Sequence, residues 1–160
     1  MRYSRIHNFS IEVLKPIIEH LSKIKKTNRM PWKELESILK ILYPNTKYEK
    51  VSNGYFKHVF IIHNNTRWFA LKIGRNSKHI RKDVKTYNDL PQKSRNRYYA
   101  KIYWARDIFM LQKWGEKVEV PFDELKRLKE WGRKVGLKDI RRDNIMKVDG
   151  KFKIVDAERV

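Results

Sequence analysis

The sequence predicts an α+β fold, and three patterns carry that expectation. Apolar residues recur at helical spacing in the front part of the chain and again between Ser77 and Leu90. Apolar and polar residues alternate on both sides of Asp149-Gly150, as in a hairpin. Two short runs, 99–104 and 108–115, read as strands. No internal repeat or low-complexity linker breaks these patterns.

From Ser10 onward Ile11, Leu14, Ile17, Ile18, Leu21 and Ile24 form one apolar stripe. Pro16 is expected to kink that helix or to mark a restart, because it lacks the N–H that the turn needs. A second helix is expected over 31–42, with Trp32, Leu35, Ile38, Leu39 and Leu42 on one side. Pro31 suits its first turn, and Pro44-Asn45 marks its stop. These two helices must bury their stripes, and packing on the neighbouring sheet is the expected solution. Between 77 and 90, Ile80, Val84, Tyr87 and Leu90 repeat at three-or-four spacing, with Ser77 as the expected N-cap. A further helix carries Lys126, Arg127 and Lys129. The hairpin 145–155 closes the chain around its Asp-Gly turn.

Composition limits the function classes. At 160 residues, with 41% hydrophobic residues, the chain builds one compact unit or a small two-lobed one. The absence of cysteine excludes disulfides and thiolate metal sites and fits a reducing compartment. His7, His20, His58, His63 and His79 show no metal-ligand spacing, so structural or surface roles are expected. No apolar run approaches a membrane span, and no signal-peptide core follows Met1 to Arg5. The expectation is a soluble, cytoplasmic protein without a membrane partner.

The chemistry concentrates near the end of the sequence. Asp139 and Asn144 stand in a D-x-x-x-x-N spacing, and Asp156 follows directly after the expected hairpin. In-line phosphoryl transfer needs a cation held by hard oxygen ligands and a base beside the attacking hydroxyl. A carboxylate, an amide and a second carboxylate supply that set.

This arrangement resembles the catalytic loop and D-F-G aspartate of the protein-kinase-like superfamily. The resemblance implies Asp139 as catalytic base, with Asn144 and Asp156 as Mg2+ ligands. Arg141, two residues after the base, would neutralise the transferring phosphate, where many kinases carry lysine. Residues 51–59 are similar to the nucleotide-covering loop, with Gly54 at its central glycine, Phe56 at its tip and Val59 over the base. Ser52 and Lys57 replace the other glycines. Ala70-Leu71-Lys72 looks like the A-x-K strand, so Lys72 would hold the α- and β-phosphates of ATP. The 77–90 helix would carry its carboxylate partner, for which Asp83 is preferred to Asp89, although the family usually has glutamate. Leu111 would be the gatekeeper, Gln112 to Trp114 the hinge, Ala70 the roof and Met146 the floor of the nucleotide site.

The resemblance covers about 47–158. It implies three parts: a helical extension over 1–46, an antiparallel-sheet N-lobe and hinge over 47–115, and a minimal C-lobe over 116–160 that ends after the metal aspartate. Leu137-Lys138 replaces the usual His-Arg before the base. Ala157-Glu158 replaces Phe-Gly, an ending similar to aminoglycoside phosphotransferases and RIO-type atypical kinases. The implied function is ATP- and Mg2+-dependent phosphorylation of protein Ser/Thr hydroxyls or of the chain itself. The alternatives are a nucleotide-binding pseudokinase and a basic nucleic-acid-binding adaptor.

Thirty-eight Lys and Arg against eighteen Asp and Glu give a formal net charge of +20, more than solubility requires. Such charge attracts RNA, DNA or an acidic protein, or else marks a lysine-rich solvated surface. Trp68, Tyr98, Tyr99, Trp104, Trp114 and Trp131 are interleaved with it, as core residues or as stacking platforms.

Overall fold

The computed structural model describes residues 8–24, 32–49, 56–64 and 67–160. It is mixed α+β, with five α-helices and a five-stranded antiparallel sheet among the described residues. The elements run α1 (Asn8–Ser22), α2 (Trp32–Leu42), β1 (Lys47–Glu49), β2 (Phe56–Asn64), β3 (Arg67–Gly74), α3 (Ser77–Asp89) and α4 (Gln92–Tyr98). They continue as β4 (Ile102–Arg106), β5 (Phe109–Lys113), α5 (Phe122–Val135), β6 (Leu137–Lys138), β7 (Ile145–Val148), β8 (Lys151–Ile154) and β9 (Glu158–Arg159). Packing divides the chain into two units: Met1–Arg81 with Ile102–Gln112, and Lys82–Lys101 with Lys113–Val160. That grouping differs from the divisions at residues 46 and 115 suggested by the motifs.

In the first unit the sheet has the order β1-β2-β3-β5-β4. Strand alternation gives it two distinct faces. Phe60 and Ile62 of β2, Phe69, Leu71 and Ile73 of β3, and Phe109 and Leu111 of β5 share one core with Leu14, Ile17, Ile18 and Leu21 of α1 and Leu35 and Leu39 of α2. The register pairs Phe60 with Leu71 and Ile62 with Phe69, so their side chains stand together on that face. Each such side chain contributes about 1.5–3 kcal/mol by leaving water. The front helices thus bury their stripes on the sheet, as their spacing requires. Helix α1 continues through Pro16, which is exposed. Leu42 falls outside the expected stripe: it is 38% exposed, at the last residue of α2 where the chain turns away.

Helix α3 begins in the first unit, and its cap differs from the expected one. Asn76 Oδ1 accepts the His79 N–H at 3.0 Å, so Asn76 is the N-cap and Ser77 is the first helical residue.

The second unit buries Leu125, Leu128, Ile140, Ile145 and Ile154 among others, and short backbone pairings join its elements. Helix α4, whose polar sequence shows no apolar stripe, was not legible in the sequence. The expected hairpin is present as β7–β8, pairing Ile145 with Ile154 and Val148 with Lys151. Asp149 (φ 50°) and Gly150 (φ 81°) both adopt left-handed backbone, the requirement of a tight two-residue hairpin turn. Glu116 and Lys147 exchange backbone hydrogen bonds of 2.9 and 3.0 Å beside it. Gly115 permits this approach, because a Cβ there would lie 2.2 Å from the Lys147 carbonyl oxygen. Ala100, Met146, Val148 and Val155 form a small core, with Trp114 packed against it. No helix among the described residues is long and apolar enough to cross a membrane.

Candidate functional site

Helix α5 delivers the chain to the Asp139 loop. Its buried face is Leu125, Leu128 and Trp131, and it ends at Gly136, whose φ of 82° turns the backbone directly into β6. Ile140 then packs onto Gly132 of α5, where an added Cβ would lie 2.0 Å from the Ile140 Cδ1. The loop is therefore seated on the helix that precedes it.

Two pairings hold the loop against the segment that carries Asp156. On one side β6 pairs with β9, Leu137 with Arg159 and Lys138 with Glu158, and the latter pair adds an ion pair of 3.8 Å. On the other, Val155 N–H donates to the Asn144 carbonyl at 2.9 Å, extending the β7–β8 ladder. Asp139 lies just inside the first clamp, Asn144 just inside the second, and Asp156 between the two returning strands. All three residues lie in the second unit.

Asp139 has φ 65°. Asp107 and Asp149, which also have positive φ, sit in hairpin turns; Asp139 does not. Left-handed backbone costs a non-glycine residue about 1–2 kcal/mol, least for Asp and Asn. Here the clamps impose it. Asn144 donates Nδ2 to the Asp139 main-chain oxygen at 3.1 Å, leaving Oδ1 as a hard oxygen acceptor. Arg141 Nε lies 3.3 Å from Asp139 Oδ1 and 3.7 Å from Asp143 Oδ1. Arg142, for which the sequence offered no role, donates Nε to the Val120 carbonyl at 3.0 Å and ties the loop to the approach of α5.

Tyr99 is a neighbour that sequence reasoning missed, having read it as core or stacking platform. It is buried, and its phenol is held well above the ordinary tyrosine value, first by burial and then by the Asp156 and Asp83 carboxylates. Both aspartates therefore act on one hydroxyl. Nothing in a single tyrosine within 99–104 signals that role.

The first unit carries the other expected nucleotide residues. Lys72 is buried on β3, with Nζ 4.9 Å from the centroid of the Phe56 ring. Phe56, expected at a loop tip, is instead the buried first residue of β2. Val59 pairs with Lys72 across β2–β3, and Ala70 is two residues along the same face, opposite the helix-packed core. Gly54 lies outside the described residues, as do Ser52 and the rest of 50–55. Lys72 falls in the first unit and Asp83, half-buried on α3, in the second.

Leu111 requires a correction. It belongs to the core under α1 and α2, opposite Trp104, so it stands on the other face of the sheet from Ala70 and Lys72. A one-residue offset in a strand reverses the face. Met110 and Gln112, both buried, are the β5 residues whose side chains share the Lys72 face. Met146 and Trp114 meet in the small core of the second unit. Trp104, Tyr99 and Trp131 are buried and offer no stacking platform.

Among the described residues no three His, Asp or Glu side chains converge as a metal cluster. Asn144 and Asp156 would be two protein ligands, a number suited to magnesium, which keeps waters and takes phosphate oxygens. No protein-family model matches the chain, and no curated protein matches it.

Proposed function

We propose that this chain is an ATP- and Mg2+-dependent phosphotransferase of kinase-like type, acting on Ser/Thr hydroxyls of protein, itself included. The observation that carries the reading is the double clamp: β6–β9 and β7–β8 fix both ends of the Asp139–Asn144 loop against the segment bearing Asp156. The order of a strand lysine, a following helix, a D-x-x-x-x-N loop and a later aspartate is that of kinase phosphoryl transfer.

The roles follow from the chemistry. Asp139 orients the acceptor hydroxyl and takes its proton. Lys72 holds the α- and β-phosphates. Asn144 Oδ1 and Asp156 would hold magnesium, which would supply positive charge to offset that of the phosphates. Arg141 turns from Asp139 toward the transferring phosphate; its side chain is 60% exposed, and exposed pairs are worth only about 0–1 kcal/mol, so little opposes the exchange.

Two measurements test this. ATP with magnesium at about a hundredfold above Kd should stabilise the protein by about 2.7 kcal/mol, and Asp156→Ala should remove most of that gain. Transfer from labelled ATP should fall about a hundredfold or more in Asp139→Asn while nucleotide binding survives. Equal stabilisation of wild type and Asp156→Ala would refute the site. Binding without any wild-type turnover would leave a pseudokinase.

A further inference from the structure

Away from the Asp139 loop, the second unit gathers cations that its carboxylates do not neutralise. Helix α4 carries Lys93, Arg95 and Arg97 and no acidic residue; Arg95 turns to Tyr87, donating Nη1 to its carbonyl at 3.2 Å, while Lys93 and Arg97 are exposed. Strand β8 presents Lys151 and Lys153 on one face, alternating with Phe152 and Ile154. The two elements are joined: Lys153 Nζ donates to the Asn96 carbonyl at 2.9 Å, and Ala100 N–H donates to the Ile154 carbonyl at 2.8 Å. Among the described residues Lys93, Arg95, Arg97, Lys151 and Lys153 form no ion pair. The nearby carboxylate of Asp149 is engaged with Lys113 at 3.6 Å.

Like charges held this way disfavour one another. Lys101, beside this cluster, is brought down to about 8 by burial and then by Arg95. Lys153 is lowered first by burial, with Lys151 and Lys113 pushing the same way and Asp149 opposing. An arriving polyanion offsets the repulsion among these cations. The cations are also spread out. Four residues of helix span about 6 Å and two residues of strand about 7 Å, so several phosphates are accommodated rather than one. Arg97 and Arg127 lie 5.2 and 5.5 Å from the Tyr98 ring centroid. The guanidiniums occupy the ring that a base would need for stacking.

We infer that the α4–β8 face binds the phosphate backbone of a nucleic acid without reading its sequence. Helix α5 is the weaker alternative, because Asp123, Glu124 and Glu130 are interleaved with its lysines and arginines. The inference does not depend on phosphotransferase activity.

Fluorescence anisotropy of the full chain with a generic labelled RNA and a DNA duplex tests it. Binding should weaken steeply with salt. Lys93→Ala with Arg97→Ala and Lys151→Ala should reduce the slope of log affinity against log salt by about two to three. Removing the same charge from α5, by Lys126→Ala with Lys129→Ala and Arg133→Ala, should reduce it by less than about one. All three α4–β8 residues are exposed, so their loss should leave the melting temperature nearly unchanged. If the triple variant does not fold, Lys151→Ala alone should lower the slope by about one. Equal loss in the α4–β8 and α5 variants would reduce the effect to net charge and overturn the assignment. Absence of binding at low salt would also overturn it, and so would poly-glutamate displacing the nucleic acid at equal charge, which would instead indicate an acidic protein.

Discussion

The two units solve the problem of stability differently. The first buries a broad apolar face: α1 and α2 cover a sheet whose inward residues include Phe60, Phe69, Leu71 and Leu111, none more than 2% exposed. The second also buries apolar side chains, among them Leu128, Ile145, Val148 and Ile154, but its short strands are joined by close backbone pairings such as Glu116 with Lys147, β6 with β9, and Val155 with Asn144. Area burial is non-directional and tolerates repacking, whereas close backbone approach tolerates no added atom. The candidate catalytic loop sits in the second unit, where such pairings hold both its ends.

The largest expected effect is in the first unit. Phe60→Ala removes a fully buried ring from the centre of its core and should cost about 3–5 kcal/mol by denaturant titration. Leu71→Met, at the paired position, should cost less than about 1.5 kcal/mol, because volume is nearly conserved. In the second unit a single methyl should rival that ring. Gly115→Ala places a Cβ 2.2 Å from a backbone oxygen that cannot swing aside, so a loss of about 3 kcal/mol is expected. If Gly115→Ala proved as mild as Leu71→Met, the contrast between the units would fail.

The same contrast explains what the sequence made legible. Amphipathic stripes announced α1, α2 and α3 because burial selects apolar residues at every helical turn. The β7–β8 hairpin was legible from Asp149-Gly150, since only such pairs accept two successive positive φ values. Asp139, Asn144 and Asp156 were legible as a spacing. Their clamp was not, because β6 and β9 are two residues each and carry no periodicity. Leu111 was misplaced for a related reason: both faces of β5 are buried, and the amide Gln112 is as fully buried as Leu111 beside it, so polarity along the strand does not mark the core face. Helix α4, with residues QKSRNRY, offers no stripe at all.

A smaller effect sharpens the reading of helix starts. Asn76→Ala removes the acceptor of the His79 N–H and should cost about 1 kcal/mol, whereas Ser77→Ala should cost little. Its hydroxyl accepts only an exposed hydrogen bond of 3.3 Å from Arg81. Comparable losses at the two positions would return the cap to Ser77.

The pH dependence opposes the units in sign. In the second, the Lys101 ammonium is lowered by burial, and then by Arg95, to about 8, below the usual lysine value of about 10.4. Between those values the unfolded chain keeps a proton that the native state has released, so stability should rise as pH increases from about 8 to 10. Below about pH 8 both states are protonated and the penalty is full. Lys153, lowered in the same direction by burial, adds to the rise, so Lys101→Met should flatten it only in part. In the first unit, burial pushes Tyr43 up to about 12, and its hydroxyl donates to the Val13 carbonyl at 2.7 Å. There the unfolded chain loses its proton first, so stability should fall as pH passes from about 10 toward 12. Tyr43→Phe should remove that decline, at the cost of one hydrogen bond worth about 1 kcal/mol. Denaturant titrations at successive pH values, read for each variant, decide the matter. A Lys101→Met profile parallel to wild type between pH 8 and 10 would move the source of the alkaline gain to another group.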